Sequence, residues 1–510
     1  MKKIKILFIA ATILFVFVFN CFSESIVMEK ESVDKILEKQ SYLEKKIEEL
    51  EKQLNDNSSK TYKGSDISIL QEDVEEVSER LDIVETKTFL DRVQITGELR
   101  LLLESWHSKD MKTITGKKTD EHSDEIWTST LYLNLRSDVT KNLIFHSRLQ
   151  YFKFWGDTYY DGGGGHDWDY ASNPKKEGYL HVQRAYFDYF VPNTPISVTM
   201  GRMPSGGGGP PDELRYYTTK KSTWPKLMND VESDGIILNL SLEKLTNLDE
   251  SMIRIAYVKL AQNYVQYKGI YNYNDSRVYA LSFDTEIPGF NNSIFWISYL
   301  NAQDLLPIPD YSLPSPLERK TPLPKSMGWL DLYNLHIQFM DLGKFGIDYF
   351  FSAAYMTIHP SDHGTIIGNI PVVTPQGVIL VENEFGWYGD KLSGNLGKNR
   401  QGHCIFTGFR YELPIELLKN PCIGFEYNHG STYWAGSVIT GSGDIQNKLF
   451  TNGDGYEVYY IQPIEQKNLF CRAGWIYLDM DYENPMFCYG NQQKTDLKLT
   501  RYYLLFDLKF

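Results

Sequence analysis

The sequence predicts an all-β transmembrane antiparallel β-barrel of about sixteen strands, preceded by an α-helical coiled coil. Three observations predict it. Half-apolar segments alternate residue by residue from 93 to the terminal Phe510, their connections alternate between short and long, and residues 26–88 carry a heptad stripe.

The N-terminus reads as a secretory signal. Lys2, Lys3 and Lys5 precede an apolar run from Ile6 to Phe19, and Cys21-Phe22-Ser23 offers small residues for cleavage after Ser23. Cys21 as a lipoprotein cysteine and an uncleaved anchor are the alternatives; the apolar run is short of the ~20 residues a span needs. The chain divides into a signal peptide over 1–23, a periplasmic coiled coil over 24–88 and an outer-membrane barrel over 89–510.

In the coil, Val33, Ile36, Gln40, Leu43, Ile47, Leu50 and Leu54 recur at alternating three- and four-residue spacing, with Glu and Lys between them. Ile67, Leu70, Val74, Val77, Leu81 and Val84 repeat the pattern after a polar joint at 55–65. One helix cannot bury such a stripe alone, so self-association is expected; mixed Ile, Leu and Val at both core positions suit a trimer at least as well as a dimer. A helix packed on the chain's own barrel is the other reading.

The barrel strands are expected near 93–105, 126–137, 141–154, 179–191, 195–202, 234–243, 251–262, 277–286, 292–302, 328–341, 344–358, 401–413, 421–433, 455–464, 467–480 and 495–510. In the last of them Tyr502, Leu504, Phe506, Leu508 and Phe510 alternate with mostly polar residues, the dyad of a half-apolar strand. Its terminal aromatic resembles the signal by which barrel-assembly machinery recognises outer-membrane proteins. Pattern alone does not separate a membrane barrel from a soluble sandwich, but connection lengths do. Turns such as 192–195 and 465–466 are tight, whereas the intervening connections are long and polar, as in barrels with short periplasmic turns and large outer loops. An even strand count puts both ends of the barrel on the periplasmic side. Trp106, Trp127, Trp155, Trp329 and Trp434 fall at expected outer strand ends, where an aromatic girdle belongs; Trp296 and Trp475 fall mid-strand.

Composition agrees. A mean hydropathy of -0.36 hides alternating strands, and an aromatic content of 14%, with 35 Tyr and 10 Trp, suits membrane interfaces. A net charge of -14 excludes a nucleic-acid binder, which needs a basic face. Five cysteines make no disulfide framework; Cys404, Cys422 and Cys471 are expected as packing residues and Cys488 in an outer loop.

A barrel of this size leaves an aqueous lumen. Its expected lining includes Glu98, Arg100, Arg136, Arg148, Arg184, Asp188, Asp348, Arg410, Glu426, Arg472, Arg501 and Asp507, charges that need water if they are to cost little. The third long connection, 203–233, joins a glycine run and prolines to Asp212, Glu213, Arg215, Lys220, Lys221, Lys226, Asp230 and Glu232. Such a loop can fold into the lumen as a constriction, or lie on the surface. Asp157, Asp161, Asp167 and Asp169 surround four glycines but lack EF-hand spacing, so a solvated loop is expected there and no metal. No hydrolase, zinc-protease or nucleotide-loop motif occurs, and neither catalysis nor a cofactor is expected.

Gly201-Arg202-Met203-Pro204, Gly209-Pro210-Pro211, Thr223-Trp224-Pro225-Lys226-Leu227 and Ser233-Asp234-Gly235 resemble the signature of a bacterial family of outer-membrane porins described mainly as a domain of unknown function. The resemblance covers most of the chain and includes the signal, the coil and a first strand like 93–100. It implies a porin and names no solute. A looser similarity to general trimeric porins implies that the third outer loop sets the constriction. The expectation is a homotrimeric porin in outer-membrane lipid, passing small hydrophilic solutes or ions passively. A structural tether or adhesin is the alternative; an outer-membrane hydrolase lacks its motif.

Overall fold

The structure, a computed structural model, describes residues 93–112, 118–155, 180–204, 225–228, 232–261, 275–290, 292–305, 326–342, 345–364, 366–374, 377–436, 448–465, 468–482, 492 and 494–510. The signal peptide, the whole heptad stripe, the aspartates at 157–169 and Cys488 lie outside the described residues.

Sixteen strands close an antiparallel barrel. In chain order they are β1 (Val93–Lys112), β2 (Lys118–Thr140), β3 (Leu143–Phe154), β4 (Leu180–Phe190), β5 (Ile196–Met203), β6 (Ser233–Ser241), β7 (Met252–Ala261), β8 (Ser276–Thr285), β9 (Ser293–Leu305), β10 (Gly328–Phe339) and β11 (Ile347–Pro360). A separate three-stranded sheet follows, β12 (Ile366–Thr374), β13 (Gly377–Gly386) and β14 (Gly389–Asp390), before the wall resumes with β15 (Arg400–Glu412), β16 (Cys422–Gly430), β17 (Asn452–Glu465), β18 (Leu469–Tyr482) and β19 (Lys494–Lys509). Each wall strand pairs with its chain neighbours, and β19 pairs with β1 to close the seam. There Gly97 and Phe510 exchange two backbone hydrogen bonds, of 2.6 and 2.9 Å. The Phe510 ring lies over Gly97 so closely that a Cβ there would sit 2.3 Å from it.

All sixteen expected wall strands are present, and two differences have physical causes. β1 and β2 run on as a hairpin to Lys112 and from Lys118, with register shifts after Glu104 and Ser108. Polar residues occupy both faces there, so no alternation announces the extension. β12 to β14 lie in a connection expected to be irregular. Its apolar run over 366–373 is nearly continuous and holds Pro371, which argues against a strand in a central position.

Register and alternation assign the two faces of the wall. Ile95, Phe145, Ile255, Leu281, Ile297, Ile405, Ile423 and Tyr502 are exposed on the outer face. Tyrosines form its upper belt: Tyr257–Tyr279, Tyr299–Tyr333 and Tyr427–Tyr456 have ring centroids 5.5, 5.1 and 5.2 Å apart. Phenylalanines mark the short-turn end, where Phe290–Phe339 and Phe409–Phe425 meet at 5.2 and 6.1 Å. From Phe339 to Trp329, β10 climbs about 33 Å along the strand at ~3.3 Å per residue, or about 25 Å of height at the usual barrel tilt. The short turns use Asn193 and Asp341 at φ 60° and 53°, left-handed values that short polar side chains tolerate.

The tryptophans divide. Trp127 and Trp155 pair at 5.3 Å on the outer face, and Trp329 stacks on His359 there at 3.5 Å. Trp106 and Trp434 do not belong to the outer girdle. Trp106 shares the inward parity of Glu98 and Arg100, which height along the strand does not reveal. Trp434 lies past the end of β16 in a segment that turns inward, and its Nε1 donates to the Leu449 carbonyl at 2.8 Å. Trp296 is buried on the inner face and Trp475 lies on the outer face, stacked on Tyr477. Cys404 and Cys422 are buried on the inner face, Cys471 is half-buried on the outer one, and none of the three forms a disulfide.

The core sits inside the wall. Ile237, Ala256, Val258, Val278, Leu300, Leu332, Phe350, Met356 and Phe406 form an apolar inner surface. Chain from the long connections packs onto it through Leu227, Met228, Trp387, Tyr388, Trp434, Ala435 and Leu449.

Candidate functional site

The interior is the candidate site, and the register puts every expected lining residue on the inner face. Arg148 and Arg184 are direct partners on β3 and β4, Asp348 and Arg410 on β11 and β15, and Arg100 and Asp507 across the seam. Most of these charges meet counter-charges. Arg100 donates through Nε to Glu98 at 2.6 Å and Asp507 at 3.2 Å. Arg410 pairs with Asp348 at 2.9 Å, and Arg136 with Asp138 at 3.2 Å.

Glu426 corrects one expectation. Its side chain is fully buried rather than facing water, and Lys448 bridges it to the equally buried Glu457. Tyr503 donates its hydroxyl proton to Glu457 at 2.5 Å, and the Lys448 ammonium lies 5.1 Å from the Phe406 ring centroid. Lys448 enters from the connection after β16, so a folded-in segment replaces water as the partner of these carboxylates. Arg501 pairs with buried Glu104 in the same dry manner.

Several of these groups escaped the sequence reading. Glu104, Glu457, Arg254 and Asp284 share the inward parity of the residues that were chosen, and Arg254 and Asp284 pair at 3.0 Å. Periodicity could have found them. Lys448 lies outside the strands, where no period reports direction.

The third long connection is partly described. Asp212, Glu213, Arg215, Lys220, Lys221 and Asp230 lie outside the described residues, and Lys226 is half-buried. Beside it, Leu227 and Met228 are fully buried against the β5–β9 wall, in a turn closed by the Met228 amide on the Pro225 carbonyl at 2.9 Å. Glu232 accepts from Arg184 at 3.0 and 3.2 Å and ties the returning chain to β4. This connection therefore enters the barrel through an apolar contact and an ion pair.

The interior is unevenly solvated, and even along β1–β4 Glu104, Gln150 and Arg184 are buried. Side-chain exposure is 28% for Arg100 and 47% for Arg136 on the β1–β4 side, against 4% or less for Lys448, Glu426 and Arg501. On the open side the Tyr132 ring lies between two guanidinium groups, Arg100 at 5.4 Å and Arg148 at 4.9 Å. Arg148 donates its Nε proton to Asn134 at 2.6 Å. His146 stacks on Tyr186 at 4.8 Å and meets Asp188 at 3.2 Å, and Asp188 accepts from Thr199 at 2.5 Å.

Asp390, at the end of β14, organises the turn that follows that strand. It accepts the Ser393 amide proton at 2.8 Å, the Ser393 hydroxyl proton at 2.6 Å and an Asn383 amide proton at 3.1 Å. Partial burial raises its pKa, but these bonds outweigh that and hold the carboxyl below its ordinary 3.8.

No curated protein matches the chain. Among solved structures it is similar to OprB of Pseudomonas putida, at 10% identity over 84% of this chain and 96% of that one, with a TM-score of 0.46. It is also similar to the outer-membrane protein OmpT of Vibrio cholerae in its trimer form (9% identity, 82% and 99% covered, TM-score 0.40). OmpF of Salmonella typhi, solved in complex with daunomycin, is comparable (10% identity, 82% and 97% covered, TM-score 0.40). Residues 120–500 match the family described as "protein of unknown function (DUF3373)", and with three quarters of its length so matched, the chain belongs to that family.

Proposed function

We propose that the chain is an outer-membrane porin through which small hydrophilic solutes or ions diffuse passively. The observation that carries this reading is the closed sixteen-stranded wall, apolar and belted by aromatic rings outside and charged inside. A hydrocarbon solvent accounts for the outer face, because closure leaves no unpaired strand edge in lipid. Folded-in chain against the β5–β15 wall confines the path to the β1–β4 side, where the third connection and its Glu232–Arg184 tie form the constriction. Both ends of the barrel segment lie at the short-turn end, the periplasmic side of this reading. The heptad stripe from Val33 to Val84 gathers three copies, and the strand ending at Phe510 is the contact for barrel assembly. The interior role is conduction, without catalysis, cofactor or metal.

Purified protein in a planar lipid bilayer tests this. Stepwise current is expected, at a conductance below that of an unfilled sixteen-stranded lumen; protein that inserts and stays electrically silent overturns the reading in favour of an anchor. Removing 24–88 is expected to abolish the cross-linked trimer and leave the heat-modifiable barrel band.

A further inference from the structure

We infer that Arg148, assisted by Arg184, forms an oxyanion-binding step in the open sector of the lumen, an assignment that rests on the porin reading. Antiparallel register sets the two arginines directly opposite each other on β3 and β4. Like charges so placed are destabilising unless something neutralises them. Among the described residues the carboxylate that contacts the pair is Glu232, and it goes to Arg184 at 3.0 Å. Arg100, on the other side of the Tyr132 ring, has Glu98 and Asp507. Arg148 contacts neither, and Glu98 reaches it only by longer-range attraction: its Nε proton goes to the neutral Asn134 at 2.6 Å, and its Cζ lies 4.9 Å from the Tyr132 centroid.

The stacking and the Asn134 bond fix the guanidinium plane while leaving its outer N–H donors without a carboxylate. A fixed fork of donors matches two oxygens of one carboxylate or phosphate group. The solute then completes the charge balance that Glu232 completes for only one of the pair. Arg148 is half-buried and Arg184 buried, a setting whose lowered dielectric strengthens such a contact. A step of this kind favours conduction of small oxyanions and disfavours cations, despite the chain's net charge of -14.

The test uses full-length protein with inorganic phosphate and acetate as separate probes. In bilayers under a potassium chloride gradient, the reversal potential is expected to report anion preference, and millimolar phosphate to reduce single-channel current. R148Q is expected to weaken that reduction about tenfold, the loss of a charge-assisted hydrogen-bonded contact, and R148K to fall between. R202Q, altered on the outer face, serves as the control and keeps both properties. Acetate competing as well as phosphate assigns carboxylates to the site; acetate without effect assigns phosphates. A channel that conducts but prefers cations, or an R148Q channel reduced by phosphate as the wild type is, overturns the inference and leaves the porin reading standing. If no current is seen, the same comparison is made on detergent-solubilised protein: phosphate is expected to raise the midpoint of heat-induced band shift in wild type and not in R148Q, and equal shifts overturn the assignment.

Discussion

Replacing Lys448 with Met tests whether the segment after β16 fills the lumen. The side chains of Glu426 and Glu457 are fully buried, and Lys448, itself 4% exposed, is the cation that holds both. Removing one partner from a buried ion pair costs about 3–5 kcal/mol, because the remaining charge stays desolvated. The Tyr503 hydroxyl still serves Glu457, and Met retains contact with the Phe406 ring, so the lower half of that range is expected, about 3–4 kcal/mol. Changing the carboxylates as well, in E426Q/K448M/E457Q, removes the stranded charges and returns stability to within about 1–2 kcal/mol of wild type. Urea unfolding of protein folded into phosphatidylcholine vesicles, followed by tryptophan fluorescence, reads these differences. Should the segment leave the wall instead, the carboxylates rehydrate and K448M gains conductance in a bilayer. A K448M protein unchanged in both stability and conductance refutes the reasoning.

Three further perturbations address other elements. Leu227→Asp puts a charge into the fully buried contact of the third connection; the loop is expected to lift from the β5–β9 wall and single-channel conductance to rise, and an unaltered conductance removes it as the constriction. At the seam, Gly97→Val drives a side chain into the Phe510 ring and is expected to cost about 1–3 kcal/mol as overpacking; F510A in the same chain recovers part of the loss, read as the temperature of heat-induced band shift. Because the folded-state pKa of Asp390 is depressed, its stabilisation of the turn after β14 is present above the ordinary carboxylate value and fades as pH falls below 3.8. Hydrogen exchange at the Ser393 amide is expected to stay protected from pH 7 to 4.5 and to lose protection below 3.5 in wild type, with D390A unprotected throughout; equal protection in both proteins contradicts the assignment.

What could be read from the chain alone follows from where periodicity operates. A strand with lipid on one side and charge on the other must alternate, so β10 announced itself through Tyr333, Leu335, Ile337 and Phe339 against Asn334, His336 and Gln338. The same parity placed Arg148 and Arg184 inside before any distance was known. It could not say that Glu426 would be dry, because the residue that dries it, Lys448, arrives from a connection with no repeating pattern. Trp434 was misplaced for that reason too. Above the apolar band both faces of β1 and β2 are polar, so their extension as a hairpin is set by backbone pairing alone.

That hairpin has a consequence for neighbouring copies of the chain. β3 joins β2 only from Thr128 onward, and among the described residues no strand pairs with 118–126 on the side away from β1. Unmatched amide and carbonyl groups in such a stretch invite a neighbouring molecule to add itself rung by rung. Asp120, Glu121, Asp124 and Glu125 are all exposed along this margin. Repulsion between such carboxylates on two copies opposes their edge-to-edge pairing.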